Sequence, residues 1–249
     1  MAKETAEPAD QAFRDFMESD AIDVTLSHMN EMSKLMSYYR CAMMEVVTKF
    51  NVLNEEFSLQ FDRNPITGIK SRLKSLPSIR EKLERRGFPF SLESIEENLN
   101  DVAGVRVICS FPEDVHLLAD ALMKQDDIIL LERKDYIRNP KPNGYRSLHM
   151  IVSVPIFLAH EKRYMRVEIQ LRTLAMDFWA TLEHQLRYKK DLDFTDDMAR
   201  ELTACAEMSA ELDERMDGLR QQVQDLAAGC ISVSSENARG WRDQSHNLP

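Results

Sequence analysis

The sequence predicts an α/β (α+β) fold: a mixed β-sheet of about five strands flanked by helices, with long helices towards both termini. Three observations predict it. Short runs rich in β-branched residues alternate with stretches whose apolar residues recur every three or four positions. Two of the helical stretches, near 23–57 and 196–228, are far longer than the others. Between them lies a basic turn with too few apolar residues for a core element, running from Lys134 to His149.

A chain of 249 residues can bury one good core with helical appendages. The 32 Lys and Arg against 42 Asp and Glu leave a net charge of −10. That balance argues against general nucleic-acid or membrane-surface binding, because phosphate surfaces call for net positive charge. Local basic clusters therefore stand out. Cys41, Cys109, Cys205 and Cys230 are scattered without a CxxC pair. This fits reduced thiols in a cytoplasm rather than disulfides or zinc. No signal peptide or bilayer-spanning run is visible.

In chain order, residues 1–20 are polar and acidic, contain Pro8, and read as a disordered tail. Residues 21–63 read as N-terminal helix, one or two, with apolar positions Met29, Met32, Leu35, Met36, Tyr39, Met43, Val46, Phe50, Leu53 and Phe57. Residues 64–190 read as the catalytic core. There Ser78 is the expected N-cap of a short helix that Gly87 ends. Residues 101–110, 127–133, 148–155 and 163–172 read as strands, and 112–124 and 173–189 as helices. Residues 191–228 hold an oligomerisation helix. Its apolar residues, among them Met208, Leu212, Met216, Leu219, Val223 and Leu226, approximate a heptad. A second subunit could cover that seam; folding back on 23–57 would bury it equally well. Residues 229–249 read as a disordered tail.

Three features carry chemistry. The turn Lys134–His149 is stiffened by Pro140, Pro142 and Gly144 and presents Lys134, Arg138, Lys141, Asn143, Tyr145, Arg146 and His149. Cations suit phosphates, and a Tyr face suits a base. A second basic cluster, Arg72, Lys74, Lys82, Arg85 and Arg86, gathers about one short helix, whose N-terminus suits a polyphosphate. Third, the period of two over 163–172 puts Glu168 and Gln170 side by side, away from Met165, Val167, Ile169 and Leu171. Each feature also has a plain reading: a solvated turn, an ordinary charged helix, a solvated sheet face. Asp101 and Glu168, placed on neighbouring strands, could hold one Mg²⁺. Two phosphate clusters on either side imply two phosphorylated substrates and a phosphoryl-type transfer. No GxxxxGK[ST], GxGxxG or HExxH occurs, and the six His are dispersed.

Four motifs in one order extend this reading: Arg72-Leu-Lys-Ser-Leu-Pro-Ser-Ile-Arg-Glu-Lys82 with Arg85-Arg-Gly87; Asp101-Val-Ala-Gly-Val-Arg106; Asn139-Pro-Lys-Pro-Asn-Gly-Tyr-Arg-Ser-Leu-His149; and Val167-Glu-Ile-Gln-Leu-Arg172 with Asp177-Phe-Trp-Ala-Thr-Leu-Glu-His184. Over roughly 25–225 the chain resembles the synthetase domain of the RelA/SpoT family, and in size a stand-alone small alarmone synthetase. The resemblance implies a nucleotidyltransferase-like synthetase fold. It also implies a stringent-response activity: the β,γ-pyrophosphate of ATP moves to the 3′-OH of GDP or GTP, making (p)ppGpp and AMP. It implies that Arg72 stacks on adenine and that Lys74, Ser78, Lys82 and Arg85 hold the ATP phosphates. Asp101 would hold Mg²⁺, Arg106 would neutralise charge near the transferred group, and Glu168 would share the Mg²⁺ or draw the 3′-OH proton. Tyr145 would stack on guanine, Lys141 and His149 would face the acceptor phosphates, and Asn143 and Gln170 would order the acceptor. A homotetramer is implied too. No hydrolase motif is seen.

Two other readings remain at this stage. One is a toxic relative that pyrophosphorylates tRNA 3′ ends or adenosine nucleotides; the net charge and the acidic 190–217 region weigh against a tRNA partner. The other is an inactive nucleotide- or RNA-sensing module, which would be expected to lack the carboxylates at 101 and 168.

Overall fold

The computed structural model describes residues 20–61, 63–187 and 194–243, with the side chains of 27–60, 63–186 and 194–227. The expected tail over 1–19 lies outside the described residues. Apolar residues spaced by three and four make α1 (Asp20–Phe61) one unbroken helix. Its stripe of Leu35, Tyr39, Val46, Phe50 and Leu53 is buried, and the helix packs on β1, β2, β4 and β5. Met29, earlier on the same stripe, is exposed.

The sheet contains β1 (Ile66–Leu73), β2 (Ala103–Cys109), β3 (Ile129–Asp135), β4 (Leu148–Phe157) and β5 (Lys162–Thr173) in the order β1-β2-β5-β4-β3. The β2–β5 pair is parallel and the other three pairs are antiparallel, so the sheet is mixed. In β5 the alternation holds: Met165, Val167, Ile169 and Leu171 are buried, and each adds about 1.5–3 kcal/mol of apolar burial. Arg166, Glu168 and Gln170 point to the other face, half-exposed. β1 was not expected as a strand. Its Lys, Ser and Arg residues mask the period of two, and pairing with β2 supplies what local propensity does not.

Between the strands lie α2 (Leu76–Arg85), α3 (Leu92–Asn98) and α4 (Pro112–Met123). The N-cap of α2 is Ser75, not Ser78. Ser75 is extended and its hydroxyl accepts from the Ser78 backbone N–H, while Pro77 occupies the first turn, where no donor is missed. Gly87 ends α2 as expected, with φ +76°, and the Phe88 N–H reaches back to the Leu83 carbonyl at 3.0 Å. α5 (Leu174–Arg187) follows β5, and α6 (Asp196–Asp243) packs on α5 and α4 rather than on α1. The helix continues past 228, where a disordered tail was expected: no Pro interrupts it before Pro249. Residues 244–249 lie outside the described residues. Among the described residues, no helix is long and apolar enough to cross a membrane.

Candidate active site

Cross-strand pairing aligns the polar residues, since paired positions share a face. One rung runs Lys70, Arg106, Gln170, His149, Lys134 across all five strands. The neighbouring rung contains Arg72, Gly104, Glu168 and Ile151. Gly104 adds no side chain opposite Glu168. A cleft of about 360 Å³ opens there, lined by Lys70, Ser71, Arg72, Lys74, Asp101, Gly104, Val105, Arg106, Glu168 and Gln170.

Asp101 precedes β2 by two residues and meets the basic cluster directly. Its Oδ2 receives Lys74 Nζ at 2.9 Å and Lys82 Nζ at 2.5 Å. Burial opposes the charged form, but Lys82 and Lys74 outweigh it and hold the carboxyl below the usual carboxylate range. Its Oδ1 is buried and has no hydrogen-bond partner. Burial, and then the charge of Asp101, push the Glu168 carboxyl above its ordinary value. Two mutually repelling carboxylates, one with an open buried oxygen, fit a hard divalent cation that completes its shell with water and phosphate oxygens. Among the described residues, no group of three or more His, Cys, Asp or Glu could hold a metal.

Beyond Glu168 lies an ordered hydrogen-bond network. Gln170 Nε2 donates to Glu168 Oε2 at 3.1 Å, and its Oε1 accepts from Arg172 Nη2 at 2.8 Å. Arg172 Nη2 also donates to the Tyr145 hydroxyl at 2.5 Å. That hydroxyl lies 2.7 Å from His149 Nε2. Since the guanidinium must donate, the Tyr145 proton goes to His149, which leaves the neutral imidazole with its proton on Nδ1. Burial, reinforced by Arg172, Lys141, Lys134 and Arg106, pushes the His149 pKa down to about 3. The 4.0 Å approach of His149 Nδ1 to Glu168 is therefore not an ion pair. His149 serves as a hydrogen-bonding group, not as a cation.

In the turn, Asn143 Oδ1 accepts from the Tyr145 N–H at 3.2 Å, and Lys141 Nζ stands 4.8 Å from the Tyr145 ring centre. The expected residues thus fall into two groups, Arg72, Lys74, Lys82, Asp101 and Arg106 on one side and Lys141, Asn143, Tyr145, His149 and Gln170 on the other, with Glu168 between them. Ser78 and Arg85 lie on α2 away from the cleft lining. Lys134 and Arg138 face Glu132 and Asp135 instead of the turn's centre.

Sequence reasoning gave no role to four members. Lys70 lines the cleft, Arg172 anchors Tyr145, and Tyr136 packs edge-on against Tyr145 and His149. Asp177 meets Lys70 and Arg106. The periodicity of β5 would have flagged Arg172; the masked period of β1 hides Lys70, and nothing local marks the role of Asp177.

The cleft sets a pair of carboxylates among basic side chains, a lining suited to phosphorylated ligands. A profile for a region found in RelA / SpoT proteins matches residues 71–193. The chain is 40% identical over 209 residues to the GTP pyrophosphokinase YwaC of Bacillus subtilis (strain 168), covering 81% of this chain and 100% of that one. The crystal structure of small alarmone synthetase 2 from Bacillus subtilis superposes with TM-score 0.70 at 40% identity, over 77% of this chain and 99% of that one. Small alarmone synthetase 1 from Bacillus subtilis, bound to its product pppGpp, gives 0.71 at 34% identity, over 78% and 98%. The chain belongs to the RelA/SpoT family, among proteins similar to the small alarmone synthetases.

Proposed function

We propose that this protein is a Mg²⁺-dependent GTP pyrophosphokinase that makes (p)ppGpp from ATP and GDP or GTP in the cytoplasm, as a homo-oligomer, expected to be a tetramer. The observation that carries the reading is the placement of Asp101 and Glu168 in one cleft, with lysines on the first and the Tyr145 network beside the second. The activity printed for the relative YwaC supports it.

In this reading Lys74 and Lys82 exchange part of their contact with Asp101 for the β- and γ-phosphates of ATP, and Arg72 packs on adenine. The resemblance extends the same phosphate role to Ser78 and Arg85 on α2, although neither lines the cleft. Tyr145 takes the guanine face, Asn143 and Gln170 order the acceptor, and Lys141 and neutral His149 meet its phosphates. The acceptor 3′-oxygen bonds to the β-phosphorus of ATP. The bond from that phosphorus to the α-phosphate oxygen breaks, AMP leaves with that oxygen, and the 3′-OH proton goes to Glu168. Arg106 neutralises charge gathering on the transferred group. Asp101 and Glu168 would hold Mg²⁺, which when bound supplies charge neutralisation and orientation of the phosphates.

The test is a product assay with purified protein, Mg²⁺ and γ-labelled ATP, offering GDP, GTP, ATP or bulk tRNA as acceptor. Label in ppGpp or pppGpp with AMP released is the expected result. Label on tRNA alone would move the protein to a different acceptor class. No transfer to any acceptor would remove the enzyme reading.

A further inference from the structure

One carboxylate ties the two halves of the cleft together, and it is neither a metal ligand nor a nucleotide contact in the reading above. Asp177 Oδ2 receives Lys70 Nζ at 3.0 Å. Its Oδ1 receives Arg106 Nη1 at 3.1 Å and Arg172 Nη1 at 3.4 Å. The three cations come from three adjacent strands, β1, β2 and β5. Lys70 and Arg106 line the cleft beside Asp101. Arg172 is almost fully buried, and its other nitrogen holds Tyr145 and Gln170.

A guanidinium buried to that degree needs a countercharge, and three like charges converging on one point repel unless an anion sits among them. Asp177, 6% exposed, provides that anion. Each cation thereby takes its position from the same two oxygens. A shift of Asp177 would move Arg106 on the donor side and the Arg172–Tyr145 pair on the acceptor side.

We propose that Asp177 is a positioning residue for pyrophosphate transfer, setting the separation of donor and acceptor by holding Arg106 and Arg172 on one carboxylate. The proposal rests on the functional reading above. The competing role is purely structural: Asp177 lies in the first turn of α5, where an acid stabilises the helix end.

The experiment compares the unmutated protein with Asp177→Asn and Asp177→Glu. It reads single-turnover transfer with both nucleotides saturating, nucleotide binding by calorimetry, and thermal unfolding. Glu keeps the charge and the helix-end acid but displaces the carboxylate by one methylene. Misplacement by about 1 Å is enough to cost roughly 100-fold in rate. Both variants are expected to lose at least about 30-fold in transfer rate, with nucleotide affinities changed by less than about fivefold. Asp177→Glu is expected to melt close to the unmutated protein. If Asp177→Asn fails to fold, Asp177→Glu decides alone. Transfer by Asp177→Glu within about threefold of the unmutated rate would overturn the proposal. So would a rate loss matched by equal losses in binding of both nucleotides. Unmutated protein that transfers nothing would remove the functional reading and the proposal with it; active unmutated protein beside equally active variants removes the proposal alone.

Discussion

Glu168 shows how one residue draws its character from its neighbours. The burial of its carboxyl and the nearby Asp101 charge both favour the protonated form, while the Gln170 side chain and the lysines on Asp101 favour the ionised one. Glu168→Gln preserves the shape and the place on β5 but removes the carboxylate proposed to take the proton. General-base removal commonly costs about 100- to 10,000-fold. Transfer is therefore expected to fall at least about 100-fold, with fold and nucleotide binding kept. The product assay and calorimetry on the same preparation check this, and an active Glu168→Gln would take Glu168 out of the mechanism. Glu168 was legible in the sequence because a strand announces its faces by alternation. The role of Asp177 was not, because two of its three cations, Lys70 and Arg106, stand 107 and 71 residues earlier in the chain.

At the scale of elements, the turn that carries Tyr145 depends on α6. Gly144 adopts φ +84°, and a Cβ placed on it would stand 2.5 Å from Ala206 Cβ. Beside this contact Trp179 Nε1 donates to the Leu202 carbonyl at 2.8 Å, and Thr173 donates to the buried Asp213. The C-terminal helix is thus one wall of the turn that carries Tyr145. Gly144→Ala combines a left-handed backbone cost of about 1–2 kcal/mol with that overlap. It is expected to lower stability by about 1–3 kcal/mol and to weaken the acceptor more than ATP. Ala206→Gly removes the overlapping methyl, so in a double-mutant cycle the pair should be less harmful than the sum of the singles. Strict additivity in denaturant unfolding would mean that the turn and α6 do not bear on each other. The Pro and Gly residues of the turn were readable as such; the wall they press against was not.

On the whole molecule, α6 leaves a stripe uncovered. Leu212, Met216, Leu219 and Val223 are each at least half exposed, at spacings of four, three and four. Packing on α4 and α5 uses the other side of the helix, so the alternative of folding back on α1 does not hold. An apolar stripe of this length facing water favours association with another copy. Leu212→Glu with Leu219→Glu is expected to convert an oligomer into a 28.9 kDa protomer with its helix content unchanged. Light scattering reads the mass, and an unmutated protein that is already monomeric would defeat the expectation.

The sequence by itself determined the long terminal helices, four of the five strands, both basic clusters and the Asp101–Glu168 pair. Periodicity, turn residues and local charge are properties of neighbours along the chain, and these elements depend on them. Only the tertiary structure decided β1, the cap at Ser75, the neutrality of His149 and the position of Asp177 among three strands. Those follow from strand pairing, from burial and from charges distant in sequence, which no local window contains.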